Sequence, residues 1–271
     1  MKMTANKSLN INAGLIGCGR IATAVHLPAM MKIEGLKVKA ASDINEKNLR
    51  ETVEKFHIDE EYLNYREMLR EADIDAVWIC TPPETHQEIV LNCLKANKHT
   101  LCEETLSTSL EGALQVKRVV EEINRDSVKL ILMPAHNFLF TPNLEYAVKL
   151  VNEGVIGEVK RVKGSAYSNL IFYGAKTDFR LRAGGGVIED QLPHVIYVCQ
   201  SIAGEIKSIL SVNASRSGHA YINSVQTTAL TEKGVRVEMN AEWSSLIPKF
   251  EVEIFGTTGT IQLDALKAPY R

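Results

Sequence analysis

The sequence predicts an α/β chain in two parts, a parallel, doubly wound sheet over residues 1–135 and a second α/β unit with an antiparallel sheet over residues 136–271. Three observations predict it. Through the first half, short apolar runs of strand length alternate with stretches of helical spacing, the pattern of βαβ units. A small-residue turn, Gly17-Cys18-Gly19-Arg20-Ile21-Ala22, joins the first apolar run to the first helical stretch. In the second half, runs that alternate apolar and polar residues follow one another across short turns, which favours antiparallel pairing.

The first element is the run Ala13 to Ile16, and the turn after it reads G-x-G-x-x-A. One small residue permits the tight turn, the next admits a pyrophosphate to the backbone, and the third lets helix and strand pack closely. An anion there meets the unsatisfied amides of a helix N-terminus. The helix is predicted from Arg20 to about Lys32, with Pro28 kinking or stopping it. Leu36 to Ser42 reads as a second strand ending in Asp43, 21 positions after Ala22. In a dinucleotide fold a carboxylate there binds the adenosine ribose hydroxyls and repels a 2′-phosphate, which favours NAD over NADP. The alternative for Asp43 is a cap on the helix predicted from Asn45 to Phe56.

Ile74 to Cys80 is a third strand, and Thr81-Pro82-Pro83 fixes a rigid turn at its carboxyl end. A helix follows from Glu84 to about Ala96, with His86 in its first turn. His99 to Glu103 is a fourth strand running into the paired acids Glu103 and Glu104, Thr108 to Asn124 a helix, and Lys129 to Met133 a fifth strand. The acids Asp59, Glu60 and Glu61 read as a solvated turn. Leu144 to Asn152, an amphipathic helix opened by Thr141-Pro142-Asn143, marks the junction between the parts. Strands are then predicted at Glu158 to Ser168, Ser208 to Ala214, Asn223 to Thr231, Val235 to Trp243, Phe250 to Phe255 and Thr260 to Leu263.

Composition narrows the function classes. With 271 residues and a formal net charge of −2, the chain has room for a large core and carries no basic run of the kind nucleic acid requires. Its five cysteines lack C-x-x-C spacing and read as buried thiols of a reducing compartment. No His, Cys and carboxylate set has metal-ligand spacing, so no metal is expected. A polar start with two lysines predicts no signal peptide, and the lack of about 18 consecutive apolar residues predicts no membrane span, which together favour a cytoplasmic protein.

Chemistry-bearing residues of the second half concentrate between its first two strands. Tyr173, Lys176, Asp178, Arg180 and Arg182 precede Gly184, Gly185 and Gly186, and a helix follows with Asp190 and His194 at i and i+4. An Asp on the same helix face can hold an imidazole's tautomer and raise its basicity, which suits His194 to acid or base work on a hydroxyl. The alternative is a surface pair without chemistry. His136 could face a substrate or be structural, Lys163 and Tyr167 could face a cleft or solvent, and His26, His57 and His219 read as surface or packing residues.

Taken in order, GLIGCGRIA, the Ser42-Asp43 pair, CTPPETH at 80–86, HTLCEETL at 99–106, AHNFLF around Asn137 and GGGVIEDQLPH at 184–194 resemble the Gfo/Idh/MocA family, the group of glucose-fructose oxidoreductase, inositol dehydrogenase and rhizopine catabolism. The resemblance implies an N-terminal Rossmann domain for the dinucleotide and a C-terminal α/β domain on an open, mostly antiparallel sheet for substrate and oligomerisation. It implies an NAD(P)-dependent oxidoreductase of sugars or polyols, assembled as a homodimer or homotetramer. Gly17, Gly19, Arg20 and Ile21 would surround the pyrophosphate and Asp43 the ribose. Thr81, Pro82 and His86 would line the path from adenine to nicotinamide. Glu103 would match the first residue of the family's Glu-Lys-Pro motif, and Asp190 with His194 its Asp-x-x-x-His pair, His194 being the acid/base group. Glu104 and Thr105 stand where the family carries Lys-Pro, so a carboxylate replaces an ammonium donor, and Glu104 would serve in its place. Two other readings stand beside it, an NAD-retaining lyase or glycosidase-like enzyme without net redox and a non-catalytic dinucleotide-binding regulator, the latter supported by the loss of the lysine. The chain also ends soon after GTTGTIQL, short beside many members.

Overall fold

In a computed structural model the chain is described over residues 10–125, 129–170 and 185–267. Tyr173, Lys176, Asp178, Arg180, Arg182 and Gly184 lie outside the described residues. The chain divides into two compact units, Met1–Ala135 and His136–Arg271.

The first unit is built on six parallel strands: β1 (Ile11–Ile16), β2 (Leu36–Ser42), β3 (Glu60–Tyr62), β4 (Ala76–Ile79), β5 (His99–Cys102) and β6 (Leu132–Pro134). Their order across the sheet is β3-β2-β1-β4-β5-β6, and every pair is parallel. The chain leaves β1 on one side to build β2 and β3 and crosses back to build β4 to β6. A crevice therefore opens at the carboxyl ends of β1 and β4, where ligands bind in such sheets. Ala13 and Leu15 belong to the core on one face, with Leu27, Met30 and Leu49, whereas Ile16, Val77 and Ile79 join the opposite core with Ile89, Val90 and Leu94. Both faces are buried, as a parallel sheet requires.

Helices α1 (Leu27–Met30), α2 (Glu46–Phe56), α3 (Tyr65–Glu71), α4 (Pro83–Lys95) and α5 (Leu110–Ile123) cover these faces. Pro28 does not stop the first helix, which runs on to Met30. Lacking an N–H for the Ala24 carbonyl, it is accommodated by a π-helical turn, Ala22–His26, in which Leu27 N–H bonds to Ala22 O. The strand β3 and helix α3 are additions to the predicted elements, and they correct the reading of Asp59 to Glu61 as a turn. Three residues of an edge strand give no usable periodicity, and β3 is extended because it pairs with Ala40, Ala41 and Ser42 of β2.

The second unit carries a six-stranded open sheet of β7 (Val159–Asn169), β8 (Ile206–Ser215), β9 (Ser224–Thr231), β10 (Arg236–Glu242), β11 (Ser244–Gly256) and β12 (Thr260–Asp264), in the order β12-β11-β7-β10-β9-β8. All pairs are antiparallel except β7 with β10. After α6 (Pro142–Asn152) and β7, the chain reaches a single helical turn, α7 (Val187–Asp190), and then α8 (Leu192–Ala203). Val195, Val198 and Cys199 of α8 share a core with Val162, Ala166, Val237, Met239 and Phe250 of the sheet. The other sheet face is polar. There Lys163 bonds to Glu253 at 2.9 Å and the Arg161 guanidinium lies 3.9 Å from the Phe255 ring centre. Lys163 and Tyr167 therefore belong to this polar face.

All five cysteines are buried free thiols. Burial pushes Cys93 and Cys199 from the ordinary 9.0 up to about 12. The folded thiols stay protonated where the unfolded chain ionises, so their contribution to stability is complete below pH 9.0 and is lost as pH rises toward 12. The melting temperature is expected to fall steeply across that interval, as calorimetry at stepped pH would read. At pH 8 a thiol reagent should modify the cysteines only after denaturant is added, and rapid modification of the native protein would contradict their burial.

Candidate active site

In the first unit the predicted residues converge on the carboxyl ends of the strands. Gly17 leaves β1 with φ +93°, and a Cβ there would stand 2.7 Å from the Cys80 carbonyl oxygen, so the fold itself demands a glycine. Gly19 differs. A Cβ at Gly19 meets nothing within 4 Å, so nothing in the chain itself explains that glycine. Open space beside a backbone that enters a helix at Arg20 fits the close approach of a pyrophosphate. Arg20 is exposed, and Ile21 is 41% exposed.

Asp43 braces this loop. Its Oδ2 accepts from Cys18 N–H at 2.7 Å and its Oδ1 from Asn45 N–H at 2.7 Å. The cap of α2 is Asn45, whose side chain accepts from Asn48 N–H at 3.1 Å, so Asp43 is not the helix cap. A carboxylate has about four acceptor sites, and these two bonds leave capacity for ribose hydroxyls. Ile44, next in the chain, is 95% exposed, an apolar surface beside that carboxylate.

Thr81 and Pro82 form the turn between β4 and α4, with Pro82 as the N-cap residue. His86 corrects its predicted role. It is fully buried, with Nδ1 2.7 Å from Thr105 O and Nε2 2.8 Å from Thr81 O, so it lines no path and instead ties the loop after β4 to the loop after β5. Glu103 and Glu104 follow β5, both half-buried. Glu103 Oε1 lies 2.5 Å from Nε2 of His26 on the π-helical turn, a partner that sequence reading left among surface or packing histidines. No local spacing pairs residues 26 and 103, since only the sheet order brings them together.

In the second unit Asp190 ends α7 and His194 lies in the first turn of α8, so the two flank a helix junction rather than sharing one helix. Pro193 stands in the first turn of α8, where an N–H is not needed, and the helix is interrupted just before it at Gln191. His194 Nδ1 lies 3.0 Å from Tyr197 Oη, and Tyr197 Oη donates to Asn137 Oδ1 at 3.2 Å. The Asp190 carboxylate accepts from Gln191 Nε2 at 3.3 Å. His136 stacks on the Tyr197 ring at 4.1 Å, and its burial lowers its pKa. Tyr197, three residues after His194, is the residue that sequence reading missed, although i,i+3 helical spacing could have found it. Among the described residues no group of three or more His, Cys, Asp or Glu is placed to hold a metal ion.

Residues 11–130 match the family model described as the GFO/IDH/MocA oxidoreductase family with an NAD-binding Rossmann fold, and residues 144–262 match the GFO/IDH/MocA C-terminal domain. Over 192 residues the chain is 32% identical to myo-inositol 2-dehydrogenase of Thermotoga maritima, covering 71% of this chain and 54% of that protein. It is 28% identical over 217 residues to levoglucosan dehydrogenase of Pseudarthrobacter phenanthrenivorans, covering 75% of this chain and 54% of that enzyme. The matched stretch thus spans about half the length of these two relatives. The crystal structure of myo-inositol 2-dehydrogenase from Lactobacillus plantarum superposes with a TM-score of 0.85 at 20% identity, over 93% of this chain and 76% of that one, which shows the shared fold.

Proposed function

The chain belongs to the Gfo/Idh/MocA oxidoreductase family, and from that premise we propose that it is a dehydrogenase, NAD-preferring, acting on a hydroxyl-bearing carbon of a sugar-like or polyol-like small molecule. The observation that carries the reading is the glycine loop, whose second glycine nothing in the chain itself requires. Gly17, Gly19, Arg20 and Ile21 hold the pyrophosphate and Asp43 the ribose. A bound nicotinamide supplies a hydride acceptor for the carbinol carbon. His194 takes the hydroxyl proton as the carbonyl forms and returns it in the reverse direction. Glu104, half-buried after β5, offers a substrate hydroxyl an acceptor where the family carries an ammonium donor.

The relatives support a cyclic polyol or anhydrosugar as the substrate class, since one acts on myo-inositol and the other on levoglucosan. Five unbridged thiols support a reducing, cytoplasmic setting. A homodimer or homotetramer is the proposed assembly, because Ile209, Leu210 and Val212 of β8 are 53 to 57% exposed and form an apolar strand surface.

The test is a screen of inositols, aldoses and anhydrosugars with NAD and NADP, read by nicotinamide absorbance. Turnover with NAD of at least one polyol or sugar is the expected result. Tight NAD binding with no net reduction by any of them would overturn the dehydrogenase reading in favour of a retained cofactor. Within the same screen, Asp43→Asn removes the charge while keeping an acceptor for Cys18 N–H, and should lower the preference for NAD over NADP by about tenfold, about 1.4 kcal/mol. An unchanged preference would remove Asp43 from the ribose site.

A further inference from the structure

We propose that Tyr197, held by Asn137, is a positioning residue that fixes His194 in the tautomer with its proton on Nδ1, so that Nε2 is the nitrogen that takes the substrate proton. The kinetic part rests on the function proposed above, whereas the tautomer does not.

A phenol oxygen has one proton and two lone pairs. Tyr197 Oη donates that proton to Asn137 Oδ1 at 3.2 Å and accepts from Phe138 N–H at 3.4 Å. His194 Nδ1 lies 3.0 Å away and meets the second lone pair, so in the neutral ring Nδ1 carries the hydrogen. The other nitrogen then carries the lone pair, because the hydrogen bond at one ring nitrogen sets the state of the other. The geometry is pinned from several sides. Asn137 and Phe138 open one 3-10 turn, Asn137–Phe140, so a single backbone segment supplies both the acceptor and the donor to Tyr197. His136 stacks on Tyr197 with rings 17° from parallel, and Phe138 meets His194 edge-on at 5.2 Å. Tyr197 is 7% exposed, so water does not compete freely for its hydroxyl. Tyr197, whose oxygen meets Nδ1, is an orienting partner for His194 that the Asp190 to His194 spacing does not predict.

The test is a long-range proton–nitrogen correlation spectrum of the full chain carrying 15N-histidine, recorded with the imidazole neutral and with His194 assigned by loss of its signals in His194→Gln. A protonated Nδ1 and an unprotonated Nε2 are expected. Asn137→Leu removes the acceptor, turns the Tyr197 proton toward Nδ1 and should invert the tautomer, whereas Tyr197→Phe should shift the population toward Nε2–H. If the dehydrogenase reading holds, kcat in Asn137→Leu falls by up to about 100-fold while NAD affinity is retained. A wild-type ring protonated on Nε2, or a tautomer unmoved by Asn137→Leu, overturns the proposal whatever the activity. The expected tautomer and its inversion, in a protein that oxidises no polyol or sugar, would support the clamp and overturn the function instead.

Discussion

Replacement of His194 by Ala is expected to lower kcat by about 10²- to 10⁴-fold, the usual loss when a positioned general acid or base is removed. The physical reason is specific to alcohol oxidation. As hydride leaves the carbinol carbon, the hydroxyl must lose its proton, and without an acceptor the reaction would pass through a protonated carbonyl. His194 lies at the start of α8, outside the unit that carries the glycine loop, so NAD affinity measured by fluorescence titration should stay within about twofold, a few tenths of a kcal/mol. Added imidazole should restore part of the rate. A kcat unchanged in His194→Ala would falsify the acid/base assignment and shift attention to Glu104.

The second large effect separates the two glycines of the turn. Gly17→Ala places a Cβ 2.7 Å from the Cys80 carbonyl oxygen at φ +93°, so it combines backbone strain with overlap against main chain. Each of those effects costs about 1 to 3 kcal/mol, and the melting temperature should fall together with NAD binding. In Gly19→Ala the new methyl meets nothing within 4 Å, so stability should change by less than about 1 kcal/mol. NAD affinity should nonetheless drop by tenfold or more, about 1.4 kcal/mol, because the methyl occupies the approach to the backbone. Calorimetry with and without NAD reads both quantities. A Gly19→Ala protein that binds NAD like the wild type would show that the pyrophosphate lies elsewhere.

Several features were legible before any coordinates because local chemistry fixes them. Gly17 is a glycine for its φ, and Pro82 and Pro83 mark the turn that starts α4. The parallel character of the first sheet follows from strands and helices alternating in sequence, since parallel neighbours need crossovers of that length. The position of Asp43, directly after β2, was legible as well, because the distance from a glycine turn to the end of the next strand is set by one βαβ unit.

What escaped sequence reading depends on contacts between distant residues. β3 is extended only because β2 offers it an edge, and the parallel β7 and β10 pair exists because the β9 and β10 hairpin docks beside a strand laid down some 70 residues earlier. His86 reads as a residue beside a ligand until two carbonyl oxygens are seen at its ring nitrogens. His26 reads as a surface or packing residue until Glu103, 77 positions away, is found at 2.5 Å. At His194 the sequence by itself determined that an imidazole stands in a helical stretch four residues after a carboxylate. Only the tertiary structure decided that Nδ1 meets the Tyr197 phenol, because that phenol is held by Asn137, and residues 137 and 197 are brought together by the fold of the second unit and by no spacing in the chain.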